Sequence, residues 1–119
     1  MTYINVALAA VPAENKDAYY ESASKMGALF KKLGEERVIE TWESDVPDGR
    51  LTSIPLAVNR QEGEAIVLSL IFWPSKQIAD NAMAEMMQSE EAKAHMPHGL
   101  FDFSRLIHGG FEMMLDITE

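Results

Sequence analysis

The sequence predicts an α+β fold: a four-stranded antiparallel sheet with two helices on one face, in the chain order strand, helix, strand, strand, helix, strand. Three observations carry this. Ala65 to Trp73 is a run without charge or glycine, which reads as a central strand buried on both faces. Two stretches with apolar residues at helical spacing stand before and after shorter β-prone segments. The breakers Pro12, Gly34, Gly49, Gly63 and Pro74 fall between the segments and not inside them. The order is the ferredoxin-like βαββαβ pattern, filling residues 1–119 as a single domain.

Tyr3 to Val11 is the first strand, with Ile4, Val6 and Leu8 on one face, Tyr3, Asn5, Ala7 and Ala9 on the other, and Pro12 ending it. Asn15 is the expected N-cap of a helix reaching Leu33, in which Tyr19, Ala23, Met26, Phe30 and Leu33 form one stripe and Gly34 closes the end. Arg37 to Ser44 is the second strand, with Ile39 and Thr41 opposed to Val38, Glu40 and Trp42. Leu51 to Val58 reads as extended. Pro55 places it on an edge or in a long hairpin arm, because proline lacks the N–H a central strand donates. After the central strand, Ser75 caps a second helix through about Glu91. His95 to Phe103 is a loop. Ser104 to Leu115 is the last strand, where paired Gly109 and Gly110 mark a bulge or a close backbone approach.

In Ala65 to Trp73, Ile66, Leu68, Leu70 and Phe72 oppose Val67, Ile71 and Trp73, interrupted only by Ser69. One helical layer covers one sheet face, so the second face calls for the sheet of a second subunit, giving a homodimeric α/β barrel.

Composition excludes several classes. The chain has no cysteine, so disulfides, thiolate metal sites and cysteine nucleophiles are absent. Acidic residues outnumber basic ones 19 to 10, and a net charge of -9 without a basic stripe disfavours nucleic acid. No signal peptide or membrane span is read, so a cytoplasmic location is expected. No phosphate-binding glycine loop or nucleophile elbow is present. No cofactor or metal is expected: His95-x-x-His98 has ligand spacing, but Pro97 interrupts it and no convincing third ligand follows. The eight methionines are assigned to packing.

Strand parity supplies the candidate site. If the most apolar set, Ile4, Val6 and Leu8, faces the helices, then Tyr3, Asn5, Glu40 and Trp42 share the opposite face, and His108 joins them from the last strand. Glu40 and His108 are the candidate catalytic pair, a carboxylate tuning an imidazole for acid-base work. Tyr3, Asn5, Trp42 and Arg105 are the candidate ligand-binding residues. The plainer alternative leaves Glu40 exposed at a sheet edge or pairs it with Arg37, Arg60 or Arg105 across a dimer, and uses the tryptophans as core or dimer-interface anchors. The first reading is a homodimer with a small-molecule pocket, the second a dimer without catalysis.

VPAENKDAY (Val11 to Tyr19), ERVIETWESDVPDG (Glu36 to Gly49), WPSK (Trp73 to Lys76) and FDFSRLIHGGFE (Phe101 to Glu112) together resemble the DUF1428 family of bacterial proteins of unknown function. The resemblance implies a dimeric ferredoxin-like α/β barrel and no established activity. His108 stands where an aromatic hydroxyl is more usual before the double glycine, and His98 to Leu100 looks like an insertion. By analogy of fold alone, the barrel is similar to small cofactor-independent monooxygenases, chlorite-dismutase-like proteins and isomerase-like enzymes.

Overall fold

Strand β3 (Glu64–Trp73) lies inside a sheet ordered β2-β3-β1-β4, between β1 (Tyr3–Pro12) and β2 (Arg37–Glu40), with β4 (Ile107–Glu112) outside β1. In the computed structural model, which describes residues 2–118, all three pairings are antiparallel. β1 and β3 pair along their full lengths, Tyr3 opposite Trp73 and Pro12 opposite Glu64, so Pro12 closes the strand from inside it. Helix α1 (Lys16–Lys32) joins β1 to β2, and α3 (Lys76–Gln88) with α4 (Glu90–His95) joins β3 to β4. This is the expected ferredoxin-like βαββαβ chain.

Residues opposite one another in an antiparallel pair project from the same face. One rung reads Glu40, Ser69, Ala7, His108, and another Val38, Ile71, Asn5, Gly110. Both rungs face the helices: Ala9, Val11 and Val67 pack under Tyr19 and Phe101, while Trp73 packs with Ala79, Ala82, Phe30 and Leu33. The Phe30 and Trp73 rings meet edge to face at 5.9 Å, worth about 1 kcal/mol beyond area burial. The expected face assignment is therefore reversed. Ile4, Val6, Leu8, Ile39, Leu68, Leu70 and Phe72 look away from the helices and stay half-buried, covered at one end where Val58 and Val46 pack on Ala10, Ile66 and Leu8. The more apolar face is thus the open one. The helix-facing side carries small residues, Ala7, Ala9 and Ser69, where space is left beneath the helices.

Other departures have local causes. The β2 ladder stops at Glu40 because side chains replace the backbone: Thr41 Oγ1 accepts from Leu68 N at 3.1 Å and Glu43 Oε1 accepts from Ile66 N at 2.8 Å. The chain still follows β3, since Thr41 N and Glu43 N donate to Leu68 O and Ile66 O. The stretch expected as extended contains instead the short helix α2 (Ile54–Ala57), because Ser53 Oγ caps Leu56 N and Pro55 sits in the first turn, where no N–H is needed. Asn15 stands at the N-cap position of α1 as expected, but its side chain makes no capping bond. Its Nδ2 donates to Leu100 O at 2.9 Å, tying the helix start to the loop after α4. Gly34 closes α1 with φ 106° as expected. Ser75 caps α3, but Ser89 leaves helical geometry and caps α4 through Ala92 N, so the helix expected to reach Glu91 is two helices. α4 also takes His95 out of the expected loop, and β4 is shorter than the expected Ser104 to Leu115. The double glycine forms no bulge: Gly109 and Gly110 pair in unbroken register with Val6 and Asn5.

Candidate functional site

Glu40, at the end of edge strand β2, points beneath α1. Its Oε1 accepts two hydrogen bonds, from Ser69 Oγ at 2.6 Å and from Tyr19 Oη at 2.9 Å, and the two hydroxyls are 3.3 Å apart. Ser69 reaches it because it stands opposite Glu40 in the β2–β3 ladder. Tyr19 reaches it from the apolar stripe of α1. Burial first, and the neighbouring Glu40 carboxylate second, hold the Tyr19 phenol far above the usual phenol range, while the Ser69 bond pulls the other way. Tyr19 is therefore a neutral donor at any ordinary pH.

This trio divides two hollows. An outer groove of about 430 Å3 lies between α1 and the edge of β2, lined by Lys16, Tyr20, Glu40 and Trp42 among others. The Lys16 ammonium sits 5.2 Å from the centre of the Trp42 ring, a cation–π contact at its mouth. An inner hollow of about 190 Å3 lies under α1, walled by Met26, Phe30, Ile71, Phe101 and Leu106, with Ala7, Ala9 and Ser69 as its floor. Tyr19, Ala23 and Glu40 line both. A carboxylate reachable from solvent on one side and facing apolar walls on the other can accept a hydrogen bond or a proton from a molecule entering the groove.

His108 lies on the same face and in the same rung as Glu40, with Ser69 and Ala7 between them. Three strand spacings separate their Cα atoms by ~14 Å, so the side chains do not touch. His108 lines a third hollow of about 330 Å3 with Asn5 and Met83, and this hollow shares Ala7, Ser69 and Ile71 with the inner one. Asn5 is held by Trp73, whose Nε1 donates to Asn5 Oδ1 at 2.8 Å. Tyr3 lies farther along the sheet, over Gly110.

Arg105 departs from its expected place among the ligand-binding residues. It sits at the far end of β1 and β3, where its guanidinium donates to both oxygens of Glu64 at 2.8 and 2.7 Å, to Asp102 at 3.2 Å and to Asn59 O at 2.9 Å. A guanidinium so fully engaged is a structural pin. Arg60 is likewise taken by Glu43 at 2.6 Å, and among the described residues Glu40 has hydroxyl partners and no arginine. His95 and His98 flank the end of α4, the His98 ring resting against Phe103. Among the described residues no three His, Cys, Asp or Glu side chains gather as a metal site, and no helix is long and apolar enough to cross a membrane.

Glu40 and Trp42, named from the sequence, line the outer groove, and Tyr19, Ser69 and Lys16 beside them were not named as site residues. The signal for Ser69 was available, as the one polar side chain in the apolar run of β3. Tyr19 was hidden because a tyrosine in an apolar helical stripe reads as packing.

Fold and site together define a ferredoxin-like α+β chain with a polar trio set over hollows between its helices and sheet. The family model described as "Protein of unknown function (DUF1428)" matches residues 2–103. The chain belongs to the DUF1428 family. It is 44% identical over 116 residues to the uncharacterized protein YbaA of Escherichia coli (strain K12), covering 98% of this chain and 99% of YbaA, and it matches YbaA of Shigella flexneri equally. Among solved structures it is similar in fold to SnoaB, a cofactor-independent oxygenase from Streptomyces nogalater. The TM-score is 0.56 at 15% identity, over 99% of this chain and 97% of that one.

Proposed function

We propose that this chain is a homodimeric small-molecule-binding protein whose site is the groove and hollow divided by Tyr19, Glu40 and Ser69, with Glu40 as the group that accepts a proton or hydrogen bond from the ligand. The observation that carries this is the trio itself: two hydroxyls converge on a single carboxylate oxygen, Oε1, at 2.6 and 2.9 Å, at the boundary of two hollows. A side chain cemented into packing would have no such space, whereas hollows of a few hundred Å3 with few converging polar groups are typical of ligand sites. The ligand class is a molecule apolar over most of its surface that presents an O–H or an acidic C–H to Glu40. Proton removal of that kind opens both isomerisations and oxygenations that use no cofactor, and SnoaB, named as a cofactor-independent oxygenase, shares the fold. The dimer rests on the open apolar sheet face, which a second copy would cover.

The test is an NMR titration of the 15N-labelled protein with 4-methylphenol. The expected result is shifts centred on Ala23, Glu40 and Ser69, and binding at least fivefold weaker in Glu40→Gln. Shifts elsewhere, or equal binding by the variant, would overturn the reading.

A further inference from the structure

The inner hollow and the His108 hollow adjoin on the same sheet face. They share Ala7, Ser69 and Ile71, and Ser69 and Ala7 are the middle members of the rung Glu40, Ser69, Ala7, His108. The sheet is small-sided there, with Ala7 and Ser69 on the floor that both hollows share. We infer that a single elongated ligand lies along this rung, its donor head at Glu40 and an oxygen acceptor, a carbonyl or carboxylate, at His108 and Asn5. The inference rests on the proposed site at Glu40 and adds the length and the far end of its ligand.

The polarity of the two ends follows from the groups that line them. An ionised Glu40 only accepts, so the head must donate. At the other end, Asn5 Oδ1 is occupied by the Trp73 indole N–H, which leaves the Asn5 amide nitrogen as its donor toward the hollow it lines. His108 provides a ring N–H in either neutral tautomer. Two donors select an acceptor. The stretch between the ends, floored by Ala7 and walled by Ile71 and Met83, offers apolar contact.

The probes are ω-(4-hydroxyphenyl)alkanoic acids of increasing chain length and the 4-alkylphenols that match them, titrated calorimetrically at fixed pH and salt. In the wild type, affinity for the acids is expected to rise about fourfold per added methylene, the equivalent of ~0.8 kcal/mol, until the carboxylate reaches His108. His108→Phe should lower the long acids at least fivefold, toward the matching alkylphenols, and leave 4-hydroxyphenylacetic acid unchanged. Ala7→Val, a β-favouring residue on the shared floor, should remove the dependence on length. Should that variant not fold, the wild-type series and His108→Phe decide alone. Affinity independent of length, or long acids indifferent to His108→Phe, would overturn the single-ligand inference; short phenols still weakened by Glu40→Gln would then leave the site at Glu40 standing. Failure of every phenol to bind would overturn both.

Discussion

The Tyr3 phenol lies across Gly110 on the neighbouring strand so closely that a β-carbon on the glycine would stand 1.6 Å from the hydroxyl oxygen and 2.3 Å from the ring carbon bearing it. The ring takes the place of the missing side chain, while its other side joins the cluster around Trp73. Gly110→Ala must therefore swing Tyr3 off the sheet, and a loss of about 1–3 kcal/mol is expected, the usual range for overpacking. At Gly109 the nearest atom to a new β-carbon is 3.6 Å away, on the Phe111 ring. Gly109→Ala should thus stay within about 0.5 kcal/mol of wild type. Urea denaturation of the two variants checks the contrast, and equal losses would contradict it.

Arg105 and Glu64 form a two-pronged ion pair with side chains only 14% and 8% exposed. Arg105→Met leaves Glu64 without its main donors, and a loss of about 2 kcal/mol is expected. Binding of 4-methylphenol should be unchanged, since the pair lies far from Glu40. The hydrogen bonds from Arg105 hold the Glu64 carboxyl below the ordinary carboxylate range, and those from Arg60 do the same for Glu43. Both folded-state values are depressed. Their stabilisation is accordingly present above the unfolded value near 4.5 and is lost as pH falls from there through the folded values. Urea midpoints between pH 6 and 3 should fall more steeply for wild type than for Arg105→Met.

Such pins also show where sequence and structure part. The long apolar run of β3, the helical stripe of α1 and the positive φ at Gly34 follow from local chemistry, and each is found where the sequence places it. The alternation in β2 was legible too, and it put Glu40 with Trp42 correctly. The choice of face was not, because alternation says which residues stand together and not what covers them. Here the helices cover the side with alanine and serine, and the richer apolar side is left open. The caps at Ser53 and Ser89 are absent from the sequence reading for a different reason. A serine three residues ahead of a free N–H is a cap only if the chain turns there, and Ser53 with Pro55, like Ser89 inside an apparently continuous helix, becomes clear only from the backbone. The partners of Arg105 and Glu40 are set by register across strands distant in sequence, which composition does not encode.

Tyr19 gives a prediction at the alkaline end. Its folded-state value is raised by burial and by Glu40, so its contribution is fully present below the unfolded value near 10 and is lost as pH rises beyond it. Wild-type stability should thus fall more steeply with pH above 10 than that of Tyr19→Phe, which has no proton to lose there. Urea midpoints at pH 8, 10 and 11 measure this. Parallel curves for the two proteins would mean that the Tyr19 phenol ionises as freely in the folded chain as in the unfolded one.

The open sheet face supplies the last prediction. Leu70 stands near its centre, opposite Val6 on one side and Ile39 on the other, half-buried and pointing away from the helices. If a second copy covers this face, two-fold symmetry brings both Leu70 residues into the same interface, and Leu70→Lys places two unpaired ammonium groups there. Each costs several kcal/mol to desolvate, so the dissociation constant should rise by at least about a hundredfold, where ~2.7 kcal/mol suffices. Sedimentation equilibrium should find the wild type dimeric and the variant monomeric at about 50 µM, within the range where specific dimers hold together. Because Leu70 projects from the face away from the helical layer, far-ultraviolet circular dichroism of the variant should match wild type, separating lost assembly from lost folding. A Leu70→Lys protein that remains a dimer would move the interface to another surface, and the apolar face would then need a different occupant.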